Sequence, residues 1–125
     1  TGTIVNVSSL SALNGIGGVA YVTSKHGLIT LTQHCAAMGM EENIRANVIC
    51  PGGVNTTLNT PEDVAAFDQE CMAMLMKHSA ATDKACEPED VAASALFFAC
   101  DDSAPINGQV VALDWGSGLE KTAEH

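Results

Sequence analysis

A chain of 125 residues that is 46% hydrophobic can build one core of modest size. Its 5 Lys and Arg stand against 15 Asp and Glu, and the net charge of −10 argues against nucleic acid or an anionic membrane surface as the main partner. No apolar run approaches the ~20 residues that a membrane-spanning helix needs, and the opening Thr1-Gly2-Thr3-Ile4-Val5 lacks the basic start of a signal peptide. Cys35, Cys50, Cys71, Cys86 and Cys100 form no Cys-x-x-Cys pair, which predicts free thiols in a reducing cytosol and no zinc site.

Thr3 to Val7 is a short β-branched run closed by Ser8-Ser9 and reads as a buried strand. Residues 10 to 18 hold Asn14, Gly15, Gly17 and Gly18 and read as a loop. From Ala20 to Met40, Leu28, Leu31, Cys35 and Met38 recur three or four apart, which predicts a helix closed by Gly39 and Glu41-Glu42-Asn43. Ile44 to Cys50 resumes a strand, cut off by Pro51-Gly52-Gly53, so strand, helix and strand form a βαβ unit. The words Pro-Glu-Asp-Val-Ala-Ala open two further helices, at Pro61 and at Pro88. Proline suits the first helical position, and acids suit the positive helix start. Thr60 is a good N-cap for the first copy, with Asp63 in a box-like position, whereas Glu87 is a poorer one. The repeat ends after these words, so it reflects shared start chemistry and not a duplicated domain. Asn107-Gly108 turns into a last strand, Gln109 to Leu113, and the polar tail from Gly116 to His125 is expected to fray.

Strands separated by helices predict an α/β layer fold with a parallel sheet. Such a sheet wants both faces covered and more neighbours than these strands supply. The first strand also starts almost at residue 1, so further structure is expected in front of it.

Tyr21 and Lys25 are four apart and project from one face of the predicted helix. Ligands of open parallel sheets bind at the carboxyl ends of the strands. The strand ending at Ser9 precedes that helix, so Ser9, Tyr21 and Lys25 can meet. A free phenol titrates near ~10, too high for a general base at neutral pH. An adjacent ammonium favours the phenolate, which makes tyrosine a usable proton donor or acceptor for an alcohol/carbonyl pair. A serine hydroxyl can stabilise charge on the substrate oxygen. The Tyr-x-x-x-Lys spacing alone more often marks a solvated helix face. Here Tyr21 is the only tyrosine, follows a serine-ended strand and precedes a strand that runs into Pro-Gly.

Six segments carry a resemblance: Asn6-Val7-Ser8-Ser9, Tyr21-Val-Thr-Ser-Lys25, Ile44-Arg-Ala-Asn47, Pro51-Gly52-Gly53-Val54-Asn55-Thr56, Pro88-Glu-Asp-Val-Ala92 and Asn107-Gly-Gln-Val-Val-Ala-Leu-Asp114. Together they span nearly the whole chain, which resembles the second half of a short-chain dehydrogenase/reductase. The resemblance implies an α/β fold, part of a doubly wound parallel-sheet Rossmann domain that lacks its N-terminal dinucleotide-binding half. Residues 1–125 would be the C-terminal portion of that single domain. It also implies an NAD(P)-dependent oxidoreductase that interconverts a secondary alcohol and a ketone, with NAD or NADP as cofactor. Carried over residue by residue, Tyr21 is the catalytic acid/base and touches the cofactor. Lys25 supports the phenolate and hydrogen-bonds the nicotinamide ribose. Ser9 positions the substrate oxygen. Pro51 and Gly52 shape the wall beside the nicotinamide, and the Val54 backbone and Thr56 hold its carboxamide or the nearby phosphate. The segment after Thr56, up to about Ala85, matches the variable substrate-covering region. The complete enzyme is expected to be a cytoplasmic homodimer or homotetramer that pairs through the Tyr helix, where Gly27, Ala36 and Ala37 allow close approach. Its partner is a small-molecule alcohol or ketone.

The family's Gly-rich pyrophosphate turn, its NAD- or NADP-selecting residue and the asparagine of its proton relay have no counterpart here. Gly15-x-Gly17-Gly18 lies in the loop before the Tyr helix and is no dinucleotide fingerprint. That loop is one residue shorter than is usual, so loop spacing favours Ser8 and the strand-end pattern favours Ser9. The two point to opposite faces of a strand, so only one can serve. Trp115 stands where the family often has glycine and is expected to pack. Phe67, Met72, Met74, Leu75 and Met76 make 64–78 apolar, as ordinary helix packing more than as a lid. His26, His34 and His78 lack metal-ligand spacing, His26 is expected to face away from the site, and Cys35 beside His34 diverges from it on a helix. The alternative function is a catalytically incompetent fragment or a non-catalytic, regulatory protein of the same fold. The intact Ser–Tyr–Lys set argues against a sensor.

Overall fold

The computed structural model describes residues 1–58, 60–77 and 84–119. The chain runs β1 (Gly2–Val7), α1 (Leu10–Asn14), α2 (Val19–Met38), β2 (Ile44–Pro51), α3 (Pro61–Ala66), α4 (Gln69–Lys77), α5 (Pro88–Ala99) and β3 (Val110–Leu113). Among the described residues the sheet has the order β1-β2-β3, and both pairings are parallel. This is the α/β architecture expected, with each pair of strands joined through helices.

β2 is the central strand. Ala46 to Pro51 are buried without a break, as a strand covered on both faces requires. Alternation sends Val48 and Cys50 to the face covered by α1 and α2, where they pack with Ala12, Ile29 and Val110. Arg45 points to the opposite face, against the C-terminal end of α5. There its guanidinium donates to the carbonyls of Ser103 (2.9 Å), Ile106 (3.0 Å), Cys100 (3.2 Å) and Phe98 (3.4 Å). A cation suits the negative end of a helix, and this one ties α5 to the sheet. Asn47, fully buried, is satisfied from both ends: its Oδ1 accepts from Gln109 N–H (2.9 Å) and its Nδ2 donates to the Ile106 carbonyl (3.0 Å).

The tight return from α2 into β2 depends on Gly39. A Cβ there would lie 2.9 Å from both Cβ and the carbonyl oxygen of Ile44. Asn43 then takes the left-handed conformation, at φ 57°.

Three expectations are corrected. Residues 10 to 18 are not loop throughout, because Leu10–Asn14 is a short helix. Ser9 caps it by accepting from Ser11 N–H, and Gly15 closes it at φ 74°. The glycines hid this helix: they read as loop but act as its stop. The 64–78 segment is not ordinary packed helix either. Phe67 and Met74 are exposed, and only Met72 and Leu75 of α4 are half-buried among its described positions. The Met76 side chain and His78 lie outside the described residues. Lastly, Trp115 is not packed into the core of this chain: it is 56% exposed, at φ 55°, with the Lys84 ammonium 3.4 Å from its ring centroid. Of the tail, Gly116 to Leu119 turn back on Asp114, whose carboxylate accepts from the N–H groups of Gly116 (3.0 Å) and Gly118 (2.9 Å). Residues 120–125 lie outside the described residues.

Both proline-led helices start as the sequence predicts. Asp63 accepts from Thr60 N–H (2.8 Å), and Thr60 Oγ1 accepts from Asp63 N–H (3.1 Å). At the second start Asp90 accepts from Glu87 N–H (2.8 Å), while the Glu87 carboxylate accepts from the Asn55 amide (2.7 Å).

Candidate active site

The carboxyl ends of β1 and β2 open onto a cleft of about 640 Å³. Ser9, Tyr21, Lys25, Pro51, Gly52, Val54 and Thr56 all line it. The structure therefore brings together every site residue expected from the sequence.

Two elements supply the reactive groups. β1 ends at Val7 and delivers Ser8 and Ser9, both buried, to the cleft floor. α2 runs back along the sheet, so Tyr21 and Lys25, one turn apart, overlook the same strand end. The Lys25 ammonium donates to the Val7 carbonyl (3.3 Å) and lies 5.8 Å from the Tyr21 ring centroid. Tyr21 is 47% exposed, and its hydroxyl makes no hydrogen bond within the described residues.

The two serines differ in what their hydroxyls do. Ser8 donates to the Lys25 carbonyl (2.7 Å), so its single proton is committed. Ser9 accepts from Ser11 N–H (3.1 Å) as the α1 cap, which leaves its proton available to a third group. Behind them, burial pushes the Cys50 thiol up, and the polar neighbours Ser8 and Ser9 oppose it only in part.

The second wall follows β2. Gly52 N–H donates to the Leu113 carbonyl (2.9 Å), which extends the β2–β3 pairing past Pro51. Val54 then bridges Cys86 in parallel, through Cys86 N–H to the Gly53 carbonyl (2.7 Å) and Asn55 N–H to the Cys86 carbonyl (2.9 Å). A parallel bridge of this kind uses the neighbours' groups, so Val54's own N–H and carbonyl point away from Cys86.

Leu58, within the expected substrate-covering segment, also lines the cleft, and sequence reasoning missed the apolar Pro88 and Val91. Pro88 and Val91 belong to the start of α5, where local pattern signals only a helix beginning. It also missed a second cleft of about 340 Å³, which shares Ser9, Tyr21 and Gly52 with the first and adds Leu10, Asn14, Ile16 and Ser117. Ser9 and Tyr21 thus stand where two clefts meet. His26 faces away, its Nδ1 3.1 Å from the Ala12 carbonyl. Among the described residues, no group of His, Cys, Asp and Glu is placed to hold a metal ion, and no helix is long and apolar enough to cross a membrane.

Comparison with known proteins gives the same picture. A family model described as Enoyl-(Acyl carrier protein) reductase matches residues 1–118. Similar curated proteins include the short chain dehydrogenase ausX of Penicillium brasilianum, 43% identical over 121 residues, which are 90% of this chain and 47% of that protein. Asnovolin H dehydrogenase nvfC of Aspergillus novofumigatus is 40% identical over 122 residues, 91% of this chain and 48% of that one. The chain spans about half the length of these relatives. Among solved structures, a Beutenbergia cavernae protein described as an NAD(P)-dependent gluconate 5-dehydrogenase, with NADP bound at low occupancy, superposes with a TM-score of 0.74. It is 32% identical, over 95% of this chain and 47% of its own. Carveol dehydrogenase from Mycobacterium avium, in complex with NAD, shares the fold at a TM-score of 0.75 and 24% identity, over 94% of this chain and 46% of its own. With the family model covering almost all of it and these relatives aligned along its length, the chain belongs to the short-chain dehydrogenase/reductase family.

Proposed function

We propose that this chain carries the acid/base half of an NAD- or NADP-dependent oxidoreductase that interconverts a secondary alcohol and a ketone. The observation that carries the reading is the meeting of a free Ser9 proton, the Tyr21 phenol and the Lys25 ammonium in one cleft, with Ser9 and Tyr21 also lining a second.

The larger cleft fits a nicotinamide cofactor. The Lys25 ammonium makes one hydrogen bond to Val7 and has two further N–H groups for ribose hydroxyls. Val54, its backbone N–H turned from Cys86, offers a donor to a carboxamide, and Pro51 and Gly52 present a wall without polar side chains. NAD or NADP, when bound, supplies or accepts the hydride on carbon. The chain's own residues handle the oxygen. Ser9 donates its proton as a hydrogen bond to the substrate oxygen and stabilises charge there. Tyr21 gives that oxygen a proton in the reducing direction and takes it back in the oxidising one. The Lys25 ammonium, 5.8 Å from the ring centroid, places a positive charge beside the group that hands over the proton. The substrate reaches Ser9 and Tyr21 through the smaller cleft.

Several further readings go with this one. Residues 1–125 correspond to the C-terminal portion of one Rossmann-type domain; the share of each relative that they match supports a portion and not the whole. The whole enzyme is a cytoplasmic homodimer or homotetramer that pairs through α2. Exposed Leu31 (53%) and Gly27, around which a Cβ would find open space, support that face, whereas Ala36, expected on it, packs into the core. The half-length match also favours a second reading for the chain by itself, a cofactor-binding but non-catalytic piece.

Titration of the 125-residue chain with NAD⁺ and NADP⁺, followed by Trp115 fluorescence and thermal shift, tests the cofactor site. Saturable binding with a raised melting temperature supports it. Turnover of a ketone panel that falls ~10²–10⁴-fold in Tyr21→Phe, with cofactor affinity kept, supports the acid/base role. Binding without turnover supports the second reading. Absence of binding to a folded chain refutes both.

A further inference from the structure

Ser8, the residue after β1, makes a 2.7 Å side-chain link to α2 and so has no hydroxyl proton left for a substrate. Its hydroxyl proton goes to the Lys25 carbonyl at 2.7 Å, and its backbone N–H goes to the Ile49 carbonyl at 2.8 Å. The side chain is buried, with 5% of its surface exposed. Lys25 is therefore held at two points: Ser8 grips its backbone, and the Val7 carbonyl grips its ammonium at 3.3 Å. About two turns further along α2, the Asn6 amide donates to Thr32 Oγ1 at 2.8 Å. Three consecutive residues, Asn6, Val7 and Ser8, thus stitch the end of the strand to the helix face that carries Tyr21 and Lys25.

We propose that Ser8 is a positioning residue for Lys25, which fixes the helix backbone so that the ammonium stays between the Val7 carbonyl and the Tyr21 ring. The adjacent serines then divide the labour: Ser9 faces the substrate oxygen, and Ser8 sets the lysine. The inference rests on the proposed roles of Ser9, Tyr21 and Lys25, but its geometric content stands apart from turnover. A lysine side chain has about four rotatable carbon–carbon bonds and loses much rotamer freedom when it is held. Its head can remain over Tyr21 only if the backbone from which it springs is fixed. The Lys25 carbonyl faces the strand end, and the Ser8 hydroxyl is the side-chain donor that meets it there.

The test uses the 125-residue chain with isotope-labelled lysine and tyrosine. It holds four lysines, Lys25, Lys77, Lys84 and Lys121, and one tyrosine, so a Lys25→Met spectrum assigns the signal of interest. The readout is the nuclear Overhauser contact between the Lys25 ε-methylene and the Tyr21 ring. Loss of one hydrogen bond of ordinary net strength changes the ratio of held to released populations by about fivefold. Ser8→Ala is therefore expected to weaken that contact severalfold, whereas Ser8→Thr, which keeps the hydroxyl, and Ser9→Ala leave it near its original strength. An unchanged contact in folded Ser8→Ala overturns the proposal, and so does an equal loss in Ser9→Ala. If Ser8→Ala does not fold, Ser8→Cys replaces it. Its thiol is a weaker donor, so an intermediate contact supports the proposal and an undiminished one refutes it. NAD⁺ and NADP⁺ titrations of the same variants separate the two ideas. Loss of the contact only in the Ser8 variants, with no cofactor binding in any of them, removes the assigned function and leaves Ser8's role standing. Binding with an unchanged contact does the reverse.

Discussion

Replacing Arg45 by methionine tests how the second layer is held to the sheet. Arg45 Nη1 makes three hydrogen bonds between 2.9 and 3.1 Å, to the Ser103 carbonyl, the Ser103 hydroxyl and the Ile106 carbonyl. Nη2 makes longer ones, to Cys100 (3.2 Å), Phe98 (3.4 Å) and Thr3 (3.5 Å). Most of these acceptors keep another donor when the guanidinium goes. Ser103 O keeps Ile106 N–H, Ile106 O keeps the Asn47 amide, and Cys100 O keeps Ser103. The loss is therefore that of about two good charge-assisted bonds, without the penalty for a set of orphaned carbonyls. At the lower end of the range for such bonds this comes to about 3 kcal/mol. That is a large share of the ~5–15 kcal/mol of a typical domain. Methionine has a similar length and no charge, so packing of the stem is largely retained. Urea unfolding followed by circular dichroism should show a lower midpoint with an unchanged slope. Arg45→Lys, which keeps the charge but not the fork, should fall between the two. A methionine variant within about 0.5 kcal/mol of the parent would refute the reasoning, since changes of that size are ordinary for surface sites without such contacts.

Three further outcomes are expected. Gly39→Ala forces a Cβ to within 2.9 Å of the Ile44 backbone and side chain, and should cost about 1–3 kcal/mol as overpacking does; an unchanged melting temperature would contradict it. Hydrogen bonds from Thr60 hold the Asp63 carboxyl below its ordinary value, so its support for the start of α3 is complete above the unfolded carboxyl pKa of ~3.9 and disappears as pH falls through the lower folded one. The Thr60 amide signal should titrate below ~pH 3.9 and lose this transition in Asp63→Asn; a midpoint at or above that value would be inconsistent. Burial pushes the thiols of Cys50 and Cys86 up, and for Cys86 the charges of Asp90, Asp114 and Glu87 add to it. These thiols therefore support the fold below the unfolded thiol pKa of ~8.5 and lose that contribution as pH rises through their folded values. At neutral pH a thiol reagent should modify exposed Cys71 first and reach Cys50 and Cys86 only on unfolding; equal rates would refute the assignment.

Much of the site was legible because it obeys short-range rules. The spacing of Tyr21 and Lys25 places them one turn apart in any helix, and a strand that ends in Ser8-Ser9 just before that helix must deliver a serine to the same end of a parallel sheet. The Pro51-Gly52 break marks the other wall for the same reason. Less legible was the contribution of α5. Pro88 and Val91 reach the cleft only because the Val54–Cys86 bridge draws the start of α5 beside the end of β2. That contact is 32 residues apart by chain position, as the Asn55–Glu87 bond shows, and no periodicity encodes it.

The choice between Ser8 and Ser9 divides what sequence and tertiary structure each decide. The sequence by itself determined that the fold is α/β, that its strands are parallel, and that a serine, a tyrosine and a lysine can meet at their carboxyl ends. These follow from periodicity, capping and the geometry of a crossover, which are local. Tertiary structure decided which serine keeps a free proton. Ser8 spends its own on Lys25, 17 residues away, whereas Ser9 accepts from Ser11 in a helix that the glycines had concealed. It also decided that Trp115 stands exposed under Lys84 and that α3 and α4 leave most of their apolar side chains uncovered. The physical reason is the same in each case. A hydrogen-bond donor, an aromatic face or an apolar stripe is specified by residue type, but its partner is specified only by where the folded chain brings a distant segment.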